Sequence, residues 1–165
     1  MTGCVVRGVA QVAFPLFFPG ADMNESNDQP RVKLCVLELE GHQSIDYTEA
    51  LLGRDASQCF REAVQRASSQ YANATTPASW RTFAVSNGSF LMAPTGDDLY
   101  WARSDAGTLH RLSATGFGLA CCLRALQWLS SRGDRLGELC RSHQVLLRRF
   151  VLERTDVCDV LGTVS

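Results

Sequence analysis

The sequence predicts an α+β fold, a small antiparallel β-meander of about four strands packed against three or four α-helices. Three observations lead there. Residues 80–94 hold two strand-like runs around Asn87-Gly88, a dipeptide that accepts the positive φ of a hairpin turn. Two further short runs rich in aromatic and aliphatic residues follow by residue 112, again separated by tight-turn residues. Apolar residues then recur at helical spacing before and after this β-rich centre. An antiparallel sheet of this kind has one face to cover, and the helices are the elements to cover it.

Taken in order, residues 1–31 form an N-terminal segment that reads as flexible or as mis-assigned coding sequence. Val9 to Phe18 is an apolar run broken by Gln11 and Pro15. It is too short to span a bilayer, which needs roughly 20 residues. As a secretory h-region it lacks a clean small-x-small cleavage site at Gly20-Ala21-Asp22. Met23 is an alternative start. The Asn-x-Ser/Thr triplets at Asn24, Asn73 and Asn87 matter only in a glycosylating pathway.

Residues 32–165 read as a single domain. Val32 to Leu39 is a short strand or an extended lead-in, and Ile45 to Gly53 a short apolar turn ending at glycine. Asp55 is placed to cap a helix, with Gln58 reaching back as in a capping box. Cys59, Phe60, Ala63, Val64, Ala67 and Tyr71 then give a helix over about 56–71, with Arg61, Glu62, Gln65 and Arg66 turned away. The hairpin follows: Trp80, Thr82, Phe83 and Val85 before a two-residue type I′ turn at Asn87-Gly88, then Phe90, Leu91 and Met92. Pro94, lacking a ladder donor, ends the second strand or puts it at an edge.

Leu99–Arg103 and Thr108–Leu112 complete the meander. Ser113 caps a helix to about Ser131 that is apolar nearly all round, the mark of a central helix. Asp134 caps another, with Leu136, Leu139, Cys140, His143, Leu147 and Phe150 along one stripe. Val157, Val160 and Leu161 suggest a last short helical turn.

Composition narrows the function. With 45% hydrophobic and 20% charged residues, the chain has the make-up of an ordinary soluble globule. A net charge of −1 offers neither the basic field of a non-specific nucleic-acid binder nor the dense acidity of a DNA mimic. No strong nucleic-acid binding and no membrane association are expected. The nine Arg against six acids in residues 101–165 read as a solvated face. Seven cysteines, an odd number without any Cys-x-x-Cys pair, read as buried thiols in a reducing cytoplasm.

Motifs with a chemistry of their own are absent. There is no phosphate-binding Gly-rich loop, no His-Glu-x-x-His and no Gly-x-Ser-x-Gly. Gly116-Phe117-Gly118 falls inside a helix, where close packing accounts for glycine. His42, His110 and His143 are the only imidazoles, and no pair has metal-ligand spacing. His143 sits on an apolar stripe as a satisfied core histidine, and His110 alternates with apolar residues as a solvent-facing one. No catalytic residue, metal or cofactor is expected. One alternative is a small cytoplasmic enzyme with a Cys or carboxylate site, since such partners meet in space and not in sequence. Another is a secreted domain whose first 22 residues are removed.

The order of motifs resembles the antirestriction proteins of plasmids and other mobile elements, the ArdB/KlcA type. In that family Leu-Phe-Gly-Arg precedes a helix, and a Trp and a strand lead to Ser-Asn-Gly-Gly-Phe and Met-Ala-Pro. The matching pieces are Leu51-Leu52-Gly53-Arg54, Tyr71, Trp80, Phe83, Ser86-Asn87-Gly88-Ser89-Phe90 and Met92-Ala93-Pro94. Leu112-Ser113-Ala114 with Gly118 resembles the opening of the family's long helix, and Gly133-Asp134 also fits. The likeness covers roughly residues 34–161. Departures are the longer Ala74–Ser79 before the Trp, and Ser89 in place of a glycine, so the member is divergent. The resemblance implies protection of incoming mobile-element DNA from host type I restriction-modification. It implies protein contact with the restriction complex or a host factor it depends on, without a reaction and without imitation of DNA's charge. Trp80, Asn87, Gly88, Phe90 and Met92 at the hairpin are then the candidate partner-binding residues.

Overall fold

The computed structural model describes residues 34–72 and 76–165, all within the compact unit Val32–Ser165. The expectations for residues 1–31, including the start at Met23, lie outside the described residues, as do Asn24 and Asn73. Among the described residues, five strands and five helices make an α+β fold. They are β1 (Val36–Leu39), α1 (His42–Leu52), α2 (Arg54–Tyr71), β2 (Trp80–Val85), β3 (Phe90–Pro94), β4 (Leu99–Arg103), β5 (Leu109–Ser113), α3 (Ala114–Ser130), α4 (Arg135–Leu152) and α5 (Val157–Val164).

The four strands expected between residues 80 and 112 are all present, and all pairings are antiparallel. They divide between two sheets, ordered β1-β2-β3 and β4-β5. β1 supplies the third strand of the first sheet, pairing Val36 with Val85 and Leu39 with Thr82. The meander is interrupted because β3 meets α3 where a further strand would pair. Gly118 makes that approach possible: a Cβ there would lie 2.2 Å from the Met92 carbonyl oxygen and 2.6 Å from Ala93 Cα. Cys122, one turn on, uses its thiol on the same strand. The Met92 N–H donates to Cys122 Sγ at 3.2 Å, and the thiol donates back to the Met92 carbonyl at 3.5 Å. A helix side chain thus satisfies backbone groups left by the missing strand.

α3 is the centre of this unit, as its all-round apolar sequence requires. Phe117, Leu119, Leu123 and Leu126 are buried in the main core with Phe60 and Val64 of α2, Leu91 of β3 and Leu147 of α4. Its start is fixed by Ser113, whose hydroxyl accepts the Gly116 N–H at 3.1 Å. α4 starts likewise at Asp134, which accepts the Gly137 N–H at 3.0 Å. The expected last turn is the two-turn helix α5.

Two local readings are corrected. The segment read as a short turn is the eleven-residue helix α1. It docks through hydroxyls that hydrophobic patterning does not register: Thr48 Oγ1 lies 2.9 Å from Ser57 Oγ, and Ser44 donates to Thr82 at 2.7 Å. α2 starts at Arg54 behind Gly53, whose φ of +87° turns the chain between the helices, and no side chain caps it. Asp55 lies in its first turn, where a carboxylate suits the helix dipole. The Gln58 amide donates forward to Glu62 at 3.0 Å, so there is no capping box.

Candidate functional site

The hairpin that carries the predicted contact residues is built by its turn. The Gly88 N–H donates to the Val85 carbonyl, and the Val85 N–H to the Ser89 carbonyl, both at 2.9 Å. With Ala84 opposite Phe90, the loop is Ser86-Asn87-Gly88. It is therefore a three-residue loop with Gly88 at φ +84°, not the two-residue type I′ turn expected. Asn87 serves this loop twice. Its side-chain oxygen accepts the Ser89 N–H at 3.1 Å, and its amide donates to the Leu146 carbonyl of α4 at 2.8 Å. A turn asparagine thus ties the sheet to a helix 59 residues further along the chain.

β3 is buried along its whole length. Phe90 is 1% exposed, its ring edge-on to Phe60 at 5.0 Å between centroids and to His143 at 5.5 Å. Met92 is 8% exposed on the strand beneath α3. Trp80, paired with Pro94, is half-buried and packs against the core. Of the five residues, then, Phe90 and Met92 are core side chains, and Asn87 and Gly88 shape the turn. Trp80 keeps a partly exposed surface.

The structure also places the titratable groups. No group of three or more His, Cys, Asp or Glu among the described residues is arranged to hold a metal ion. Burial pushes the Cys122 thiol up to about 12 and Cys140 to about 11, and raises Cys121 well above the ordinary thiol range. These three stay protonated near neutral pH and are poor nucleophiles. His143 is buried as expected but not satisfied: burial lowers its pKa, and its Nδ1 has no hydrogen-bond partner among the described residues. His110 is not solvent-facing: its Nδ1 lies 3.3 Å from Asp159, and its ring rests against Gly162 of α5. Asp97 and Asp98 are exposed turn residues, as read from the sequence.

Two surfaces were not singled out from the sequence. The first is the outer face of β4–β5. Trp101 stands opposite Arg111, and Leu99 and Leu109 flank them on the same face. Leu99 and Trp101 are each 53% exposed. Strand alternation contains this signal, because Tyr100, Ala102 and Leu112 take the inner positions.

The second surface is a groove of about 550 Å³ lined by Cys59, Glu62, Ala63 and Arg66 of α2 and by Trp128, Leu129 and Arg132. The Arg66 guanidinium lies 5.3 Å from the Trp128 ring centroid, and Arg124 lies 5.6 Å from the same ring. Arg61, Glu62, Gln65 and Arg66 read as an outward face, but Glu62 and Arg66 form one wall of this groove. Finding it from sequence requires knowing that α2 packs beside the end of α3.

No protein-family model matches the chain, and no curated protein sequence matches it. A solved structure does. It comes from work describing the KlcA and ArdB proteins as having a novel fold and antirestriction activity against type I DNA restriction systems in vivo but not in vitro. The match has a TM-score of 0.74 at 20% sequence identity, covering 87% of this chain and all of the other. The chain therefore has the KlcA/ArdB fold.

Proposed function

We propose that this protein is a divergent antirestriction protein that protects incoming mobile-element DNA from host type I restriction-modification. The carrying observation is the shared fold: the solved antirestriction chain is matched over its whole length, by 87% of this chain, at a TM-score of 0.74.

The mode of action we infer is protein contact in the cytoplasm, without a reaction. The near-neutral charge supports this, since a mimic of DNA must match about one negative charge per 1.7 Å of duplex. So does the protonated state of the buried thiols, which removes three of the nucleophiles an enzyme would use. The partner is the restriction complex or a host factor it needs. The relative's activity in vivo but not in vitro favours the host factor. No helix among the described residues is long and apolar enough to cross a membrane.

Plating unmodified phage on restricting cells tests the proposal. Cells expressing the protein should plate the phage more efficiently than cells without it, and both should be equal on a restriction-deficient host. Unchanged restriction across every type I family would overturn it.

A further inference from the structure

The groove between α2 and the end of α3 has the features of a built recognition site. Cys59, Glu62, Ala63 and Arg66 occur at i, i+3, i+4 and i+7, so they form one stripe of α2. The neighbouring stripe, Phe60, Val64, Ala67 and Tyr71, is the one buried in the core. α2 therefore has two working faces, and the second is open. Its volume of about 550 Å³ lies within the range typical of ligand sites.

The charges of this groove are unequally satisfied. Arg124 is held by Asp105, and Arg132 by Asp134 at 3.0 Å. Glu62 accepts the Gln58 amide. Arg66 has no carboxylate partner among the described residues; its guanidinium rests on Trp128 alone. Two guanidiniums crowd one indole, and only one of them has its counter-charge. An incoming carboxylate would complete the set, while Trp128, Leu129 and Ala63 offer an apolar floor beside it.

Resting on the protein-contact reading above, we propose that this groove docks an acidic segment of the partner protein. One Asp or Glu of that segment pairs with Arg66, and a neighbouring large apolar side chain covers Trp128 and Leu129. A nucleic-acid strand fits less well. Two of the three guanidiniums already hold carboxylates, which leaves one free cation for a single side-chain carboxylate and no row of them for a phosphate backbone to follow. Trp and Arg at the centre of a concave site are the residue types that dominate protein contacts.

The test uses the full chain, isotope-labelled, and short peptides carrying Asp and Glu around one Leu, Phe or Trp. The same peptides with Asn and Gln serve as controls. The acidic peptides should shift the Trp128 indole N–H and the backbone amides of residues 59–66. Affinity should fall about tenfold in Arg66→Glu and at salt near 0.5 M, and stay unchanged in Arg111→Glu on the β4–β5 face. Arg66→Gln, with its circular dichroism and thermal midpoint compared with wild type, separates lost pairing from lost folding.

Equal binding of the neutral peptides, no shift with any acidic peptide, or tighter binding of single-stranded DNA in the groove would each overturn the assignment. Phage plating distinguishes this inference from the function it rests on. Protection by wild type that is lost in Arg66→Glu supports the groove, and protection retained in that variant overturns it. Failure of the wild type itself to protect overturns the antirestriction reading, while the peptide titration still judges the groove.

Discussion

The described residues contain two hairpins of nearly equal length, and they have opposite fates. β2 packs against α1 and β3 against α3 and α4, with Phe60 of α2 edge-on to Phe90, and every residue of β3 is buried. β4–β5 packs on one face only. Tyr100 stacks on Phe117 of α3 at 4.7 Å, and Ala102 and Leu112 are fully enclosed, while Leu99, Trp101 and Leu109 look outward. The difference does not come from the strands' own hydrophobicity, for β4 holds a Trp and a Tyr. It comes from Gly118, which lets a central helix lie directly on the β3 backbone. A distinctive turn sequence therefore marks the element the fold needs most. Residues available to another molecule lie on the plainer hairpin and along the second face of α2.

Truncating the β2–β3 core tests this contrast most severely. Phe90→Ala should cost about 3–5 kcal/mol, the usual loss for a fully buried phenylalanine. Chemical denaturation of the variant measures it, and a loss below about 1 kcal/mol would mean that the ring is not the keystone its 1% exposure implies. Asn87→Ala removes two hydrogen bonds, one to the Ser89 N–H and one to the Leu146 carbonyl. A loss of about 1–3 kcal/mol is expected, at roughly 0.5–1.5 for each bond. A smaller loss together with a failure to protect DNA would instead make Asn87 a contact residue.

How much of this was legible in the sequence follows the same division. Elements whose signal is local were read closely: Asn87-Gly88 for a turn, Ser113 and Asp134 for helix starts, and the apolar surround of α3. The local pattern gives a two-residue turn, and it misses that Asn87 answers to Leu146, a partner no local pattern contains. Apolar patterning alone gives a turn at α1, because polar Thr48 and Ser57 do the work of its packing. Phe90 and Met92 were candidates for contact because aromatic and Met residues serve both interfaces and cores. Only the helix lying over them decides between the two. The α2 groove needed the placement of Trp128 beside Arg66, and its sole sequence trace was a second stripe on an already amphipathic helix.

His143 lets pH probe the junction of the two kinds of region, since α4 brings it against Phe90. Burial lowers its pKa in the folded state below the ordinary value of 6.5. Between the folded and unfolded values the unfolded chain binds more protons, so stability rises with pH there. The contribution is constant well above 6.5 and falls as pH drops through that value. A thermal midpoint that declines from pH 7.5 to 5.5 is expected, with the decline reduced in His143→Leu. An unchanged slope in that variant would assign the dependence to other groups.

The smallest effect is the sharpest control on the comparison. Trp101 is 53% exposed and faces solvent beside Arg111, so Trp101→Ala should change stability by no more than about 0.5 kcal/mol. The same truncation of an aromatic residue is thus expected to cost several times less than on β3, though both residues lie in antiparallel hairpins of one small protein. A loss comparable to that of Phe90→Ala would mean that another part of the chain covers the β4–β5 face, and that the two hairpins are equally internal. Near-neutral stability leaves the face open, and phage plating of the same variant then reads whether that openness serves protection.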